Sequence, residues 1–138
     1  MKIRSLALFG LLAAVPVMAE MPKSSAPAEA KAYIISPKNG DVVSPEFTVK
    51  FGLKGMGVAP AGVQKDNTGH HHLLVDAKTL PDMNLPLGAD VAHFGGGQTE
   101  TTLKLAPGKH TLQLILGDQN HVPHNPPVLS EKITITVK

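Results

Sequence analysis

The 138-residue sequence contains no cysteine, no tryptophan, one tyrosine and a single arginine, Arg4. Without cysteine there is no disulfide framework, so buried apolar surface must stabilise the fold. The shortage of arginine and of stacking aromatic side chains argues against nucleic-acid binding, which needs a basic patch. No apolar run approaches the roughly 20 residues that a membrane-spanning helix requires. We therefore expect a soluble mature protein with no nucleic-acid partner and no membrane span.

The first nineteen residues have the layout of a secretory signal peptide. Lys2 and Arg4 precede the apolar run Ser5–Val17, and the small-residue ending Val17-Met18-Ala19 is typical of a cleavage site. Without Lys2 and Arg4 the chain keeps eleven basic and eleven acidic residues, so the mature protein is neutral. The pattern predicts a signal peptide over residues 1–19 and a periplasmic location.

The rest of the chain divides into a short leader and one domain. Residues 20–31 are rich in Pro, Ala, Ser and charge without apolar periodicity, which predicts a disordered leader. Beyond them, short apolar or alternating segments typical of β-strands are separated by Gly- and Pro-containing turns, at 32–36, 47–53, 70–76, 101–105, 112–116 and 133–137. This pattern predicts an all-β fold for residues 32–138, an immunoglobulin-like antiparallel β-sandwich forming a single domain.

Two stretches of the domain resemble known families. The segment SPKNGDVVSPEFTVKF, residues 36–51, resembles the first two strands of bacterial immunoglobulin-like domains. From Gly69 onward the motifs GHHHLL, HFGGGQTE, HTLQLILGD and HVPHNPPV resemble an uncharacterised family of small exported histidine-rich bacterial proteins, a domain of unknown function. This resemblance implies a secreted β-domain and no established activity.

Seven histidines are the chemically unusual feature of the sequence. Because strand side chains alternate between faces, His71 shares a face with Leu73, which we predict to be the core face. His70 and His72 share the other face, about 6–7 Å apart along the strand. His110 aligns with Leu112 near the rim of the core, so we predict structural roles for His71 and His110.

Three further histidines lie in irregular segments. His121 and His124 follow the strand 112–116, in a loop that Pro123, Pro126 and Pro127 stiffen. His93 opens the glycine-rich segment 93–100, where the backbone can approach a ligand closely. In an antiparallel sandwich, the start of one strand and the end of another lie at the same end of the domain when the two strands run in opposite directions. The pair His70 and His72 and the pair His121 and His124 can therefore share one end.

These placements predict a metal site for copper or zinc, because neutral imidazole is a common ligand for both ions. The predicted ligands are His70, His72, His93, His121 and His124. We expect copper to be held more tightly, and affinity to fall as the pH drops through about 6.5.

Four other side chains enter this hypothesis as accessories. Met56 and Met83 lie in the two long loops and are either soft copper ligands or packing residues. Asp76 and Asp118 are candidates for fixing imidazole tautomers by hydrogen bonds.

Other functions stay open at this level. The long loops could present a non-metal surface to another periplasmic protein or a cell-envelope ligand, and turn-capping roles could account for all seven histidines. No spacing matches a zinc signature such as His-Glu-x-x-His. An enzyme is least favoured, because there is no recognisable serine nucleophile motif and no carboxylate in an obvious base position. The sequence thus predicts a binding module and not an enzyme.

Overall fold

The computed structural model describes residues 13, 14, 16 and 20–138, and in this part of the chain the regular elements are β-strands. They are β1 (Lys31–Ser36), β2 (Val42–Val43), β3 (Glu46–Lys54), β4 (Gly57–Val58), β5 (Thr68–Val75), β6 (Ala92–His93), β7 (Glu100–Lys104), β8 (Gly108–Gly117) and β9 (Ile133–Val137). The predicted signal peptide lies outside the described residues, except for positions 13, 14 and 16. The described part forms no helix long and apolar enough to cross a membrane.

The strands form two sheets of a β-sandwich. The smaller sheet has the order β1-β3-β7, and the larger has the order β2-β9-β8-β5-β4, with β6 also pairing β5. The long strands pair antiparallel, which confirms the predicted all-β, immunoglobulin-like sandwich. Parallel pairing occurs at two short edges, where the two-residue strands β2 and β4 pair with β9 and β5. Such contacts belong to connecting loops, whose backbone pairing leaves no alternation in the sequence.

The main core lies between the two sheets. Leu73 of β5 faces Leu114 of β8 in register, and both side chains are buried. Phe51 from β3 and Ile135 from β9 pack into the same cluster. The period-two alternation in the sequence is therefore the imprint of this shared inner face.

The outer face of the larger sheet is covered as well. Leu74 and Ile115 point away from the main core and form a second buried cluster with Leu87 and Val91 from the long loop 76–91. Strand β5 is consequently buried on both faces, and its residues 69–74 are all buried. Polar side chains on the outer face of β5 therefore sit beneath loops, where they need partners.

The segment predicted as a disordered leader pairs with the domain instead. The Asn125 N–H donates to the Ser24 carbonyl at 2.9 Å, and the Ala26 N–H donates to the Asn125 carbonyl at 3.1 Å. The Ser24 hydroxyl also donates to Oδ2 of Asp118 at 2.7 Å. The disorder prediction is wrong for these residues because strand-like backbone pairing does not require the apolar periodicity that the segment lacks.

We expect Ser24→Ala to lower the free energy of unfolding by about 2 kcal/mol, because the buried Asp118 carboxylate would lose a hydrogen-bond donor. Urea denaturation of the mature protein measures this change. Ser25→Ala is the matched control, since Ser25 is an exposed neighbour. Equal effects of the two substitutions would show that the hydrogen bond from Ser24 to Asp118 does not stabilise the fold.

Candidate metal centre

Strand β5 presents two buried imidazoles on its outer face. His72 is paired in register with Ile115 of β8, and His70 is paired with Gly117. Both histidines are fully buried, and their ring centroids are 4.6 Å apart. The strand therefore holds the i and i+2 pair that the alternation predicts, with the rings closer together than the strand spacing alone suggests.

His121 approaches this pair from the turn that follows β8. Asp118 fixes that turn, because its Oδ1 accepts hydrogen bonds from the N–H groups of Asn120 and Val122 at 2.8 and 3.1 Å. His121 has a positive φ of 64°, and its carbonyl accepts a hydrogen bond from the Leu87 N–H at 2.8 Å. Few non-glycine residues adopt this left-handed backbone, so the local structure here holds His121 in an uncommon conformation.

The three imidazoles converge through their ring nitrogens. Nδ1 of His121 lies 3.0 Å from Nε2 of His70 and 3.4 Å from Nε2 of His72. Each of the three offers one ligand atom, and these atoms all lie within 4.8 Å of one another. Metal–nitrogen bonds of about 2.0–2.1 Å in a tetrahedral site place ligand nitrogens about 3.3 Å apart. The cluster of His70, His72 and His121 could therefore hold a metal ion.

One usual feature of a histidine metal site is missing around this cluster. A ligating histidine generally donates its second ring N–H to a carboxylate, a carbonyl or water. The Nδ1 atoms of His70 and His72 are buried without a hydrogen-bond partner among the described residues. Asp118, which we considered as such a partner, instead bonds the backbone of its own turn and Ser24.

His93 is the exposed member of the group. It pairs with His72 across the short β5–β6 ladder, which brings it to the same side of the sheet. Its ring centroid lies 5.1 Å from that of His121, 6.0 Å from that of His72 and 6.4 Å from that of His70. The structure thus gathers four of the five predicted ligands.

The fifth predicted ligand, His124, does not join the cluster. Its Nε2–H donates to the Thr68 carbonyl at 3.1 Å. A Cβ built on Gly69 would lie 2.9 Å from both Cε1 of His124 and Cγ of Leu116, a core residue. Because residues 69 and 70 point to opposite faces of β5, His124 packs on the inner side and His70 on the outer side. The prediction for His124 is wrong because its sequence distance from His121 does not reveal which side of the sheet each one occupies.

The two histidines predicted to be structural lie outside the cluster. His71 is buried on the inner face with its ring centroid 5.2 Å from that of Phe51, and neither of its ring nitrogens has a hydrogen-bond partner among the described residues. Nδ1 of His110 donates to Oδ2 of Asp76, and its Nε2 donates to the Ala106 carbonyl, each at 2.7 Å. Both ring nitrogens of His110 face acceptors, so the charged imidazolium is favoured, and the hydrogen bond to Asp76 raises the pKa of His110 above its ordinary value.

The two methionines of the long loops act as packing residues in the structure. Met56 packs against the main core, and Met83 packs against the second cluster on the outer face. This placement agrees with the gap-filling alternative that the sequence left open for both side chains.

Burial governs the protonation of the β5 histidines. It lowers the pKa of His70 to about 4, with the neighbouring His121 and His93 adding to the effect. It lowers the pKa of His72 to about 3, and it lowers that of His71 to about 4. The buried imidazoles are therefore neutral at pH 7, which is the form that binds metal, and for His70 and His72 the expected fall in metal affinity moves from about pH 6.5 to lower pH.

Gly117 is a determinant of the cluster that the histidine pattern does not reveal. A Cβ at this position would lie 2.6 Å from Cε1 of His72 and 3.3 Å from Cα of His121. Only a residue without a side chain lets the His72 ring and the His121 backbone approach β8 this closely. In the sequence, the signal for this role is a glycine at the end of a strand in which apolar residues alternate with others.

We expect Gly117→Ala to destabilise the protein by about 1–3 kcal/mol, because the added methyl group displaces the His72 ring. Thermal or urea unfolding measures the loss. Gly57→Ala is the matched control, since a Cβ there would make only an ordinary 3.6 Å contact with the Thr68 side chain. If the two variants were equally stable, the close approach at Gly117 would not matter.

The free energy of unfolding of the metal-free protein should fall as the pH drops from about 6.5 towards 4. In this window the unfolded chain protonates His70, His71 and His72 near pH 6.5, whereas the folded chain keeps them neutral. Each of these groups can contribute a slope of up to about 1.4 kcal/mol per pH unit. Urea denaturation at pH 5.0 and 6.5 measures the difference.

His110 contributes with the opposite sign. Its raised pKa stabilises the fold below about pH 6.5 and loses that effect as the pH rises through the folded-state pKa. His110→Gln should therefore retain the loss of stability on the acid side. Equal stability of the original protein at pH 5.0 and 6.5 would show that the three β5 histidines are not buried as neutral groups.

The chain belongs to the family DUF4399, a domain of unknown function, whose pattern matches residues 49–138. The matched region contains all seven histidines. No curated protein matches the sequence. Family membership therefore identifies the chain without assigning a chemistry to the cluster.

Among solved structures, the chain is similar to fibronectin(III)-like modules of Clostridium thermocellum CbhA. The sequence identity is 13%, the TM-score is 0.38, and the match covers 77% of this chain and 92% of that chain. The strand order and core described above carry the fold assignment by themselves.

Proposed function

We propose that this protein is a periplasmic binding module for a transition-metal ion, copper or zinc, and not an enzyme. The ion would be held by His70, His72 and His121, with His93 beside them. The observation that carries the proposal is the convergence of three ring nitrogens, spaced 3.0 and 3.4 Å about Nδ1 of His121. They come from two segments about 50 residues apart, so local sequence alone does not bring them together.

Hydrogen bonding alone leaves this cluster incompletely satisfied. Each neutral imidazole has one donor and one acceptor nitrogen, and Nδ1 of His121 can make one good hydrogen bond although it faces two nitrogens. The Nδ1 atoms of His70 and His72 add two buried nitrogens without partners in the described part of the chain. Each unsatisfied buried group costs about 1–3 kcal/mol. A metal ion would accept the three converging lone pairs at once and so remove the conflict at Nδ1 of His121, whereas the protonated Nδ1 atoms of His70 and His72 would keep no partner among the described residues.

The chemistry of the ligand set favours particular ions. The group of converging side chains consists of imidazoles, with no carboxylate among them. Imidazole suits zinc, copper and nickel, whereas calcium and magnesium prefer oxygen ligands. By the general affinity order of divalent ions, copper would be bound more tightly than zinc. The proposed location follows from the export signal pattern at the N-terminus.

Titration of the untagged mature protein with Cu²⁺ and Zn²⁺ by calorimetry tests the proposal. We expect one ion per chain, and we expect His121→Asn to weaken binding at least about tenfold, since loss of even an outer partner of a metal ligand costs about 10–100-fold. Asparagine tolerates the positive φ at this position, so the substitution removes the imidazole while preserving the turn. His110→Gln is the control, because His110 lies outside the cluster.

Absence of binding, or unchanged binding in His121→Asn, would reject the metal site. The non-metal interaction module would then replace it. The exposed side chains of Val63, Leu80 and Leu85 in the long loops would be its first candidate contacts.

A further inference from the structure

The exposed imidazole of His93 differs in setting from the three that converge. His70 and His72 are fully buried and His121 is half-buried, whereas His93 is open to solvent. We infer that His93 is the fourth ligand of the ion and the ligand that detaches when the ion is exchanged. This inference rests on the proposed metal site.

Ring positions support a four-imidazole site. In a tetrahedral complex with metal–nitrogen bonds of about 2.0–2.1 Å, neighbouring ring centres lie about 5 Å apart. The separations among His70, His72 and His121 are 4.6, 4.8 and 5.6 Å. Those from His93 are 5.1, 6.0 and 6.4 Å. His93 lies outside the group whose ring nitrogens are all within 4.8 Å of one another, so it completes the set only after its side chain turns and moves inward.

The His93 ring lies against a residue that has no side chain, Gly95. His93 ends the two-residue strand β6, and Gly95 follows two residues later. A Cβ at Gly95 would lie 3.2 Å from Cδ2 of the His93 ring and 3.4 Å from Cβ of Ala61. A side chain at position 95 would thus crowd the space that the imidazole uses. The backbone at His93 is itself held, because His93 pairs with His72 and the Phe94 N–H donates to the His71 carbonyl at 3.0 Å, so the movement needed is that of the exposed side chain.

Solvent reaches the cluster from the side of His93. Because His70 and His72 have no exposed surface, an ion enters or leaves past the exposed and half-exposed rings of His93 and His121. His121 is held by its turn, and its carbonyl is hydrogen-bonded to the Leu87 N–H. His93 is therefore the ligand that can leave most easily. In the exchange step its metal–nitrogen bond breaks, and an incoming nitrogen donor forms the replacement bond through its own lone pair, with no change in oxidation state.

The test compares Cu²⁺-loaded mature protein with its His93→Ala variant. Pulsed electron paramagnetic resonance counts the coordinated imidazoles, and transfer of copper to EDTA gives the dissociation rate. We expect four imidazoles in the original protein and three in His93→Ala. Added free imidazole should restore the fourth in the variant. Copper should also leave the variant about tenfold faster or more, since a direct ligand should matter at least as much as an outer partner.

Two controls and the opposing outcomes make the test decisive. His110→Gln should match the original protein in both measurements, and circular dichroism of His93→Ala should show that the exposed substitution leaves the fold intact. If His93→Ala keeps the imidazole count and the dissociation rate of the original protein, His93 is not a ligand, while the metal site of His70, His72 and His121 stands. If the original protein binds neither copper nor zinc, the proposed function itself fails.

Discussion

The pairing of β5 with β8 is the constraint on which the core and the histidine cluster both depend. The same register that places Leu73 against Leu114 inside the sandwich places His72 beside Ile115 and His70 beside Gly117 outside it. Since side chains alternate, a slip of β5 by one residue would turn Leu73 outward and would place His70 and His72 in the core. Burial of the leucine face therefore fixes the positions of two candidate ligands without any contribution from the ligands themselves.

The third imidazole depends on the continuation of β8 into a turn. Asp118 follows directly after Gly117, and its carboxylate accepts backbone N–H groups on one oxygen and the Ser24 hydroxyl on the other. A buried carboxylate with several donors is a stable anchor, whereas the same group without them would be costly. The N-terminal segment thus supports the turn that carries His121, although it lies almost 100 residues away in the sequence.

The sequence alone predicts the long strands, the inner and outer faces of β5 and the meeting of His70, His72 and His121, because these follow from period-two alternation and antiparallel topology. Other features depend on tertiary contacts that leave no periodic signal. The loop covering Leu74 and Ile115, and the pairing of Ser24 to Ala26 with Asn125, belong to this class. The position of His124 is another such feature. The segment from His121 to His124 has no regular periodicity, so the position of His121 does not predict on which side of the sheet His124 lies.

The histidine cluster on the outer face of β5 lowers the stability of the metal-free fold. Along this face the side chains change from Leu74 and Ile115, packed in an apolar cluster, to His72 and His70, whose Nδ1 atoms are buried without partners in the described chain. Apolar side chains at the histidine positions would avoid the cost of unsatisfied nitrogens, and a glycine at 121 would avoid the left-handed strain. A bound ion would offset these costs, since a ligand that binds only the folded state adds RT ln(1 + [L]/Kd) to stability. In the proposed function, an arrangement that is unfavourable for the metal-free fold would thus become favourable once an ion is bound.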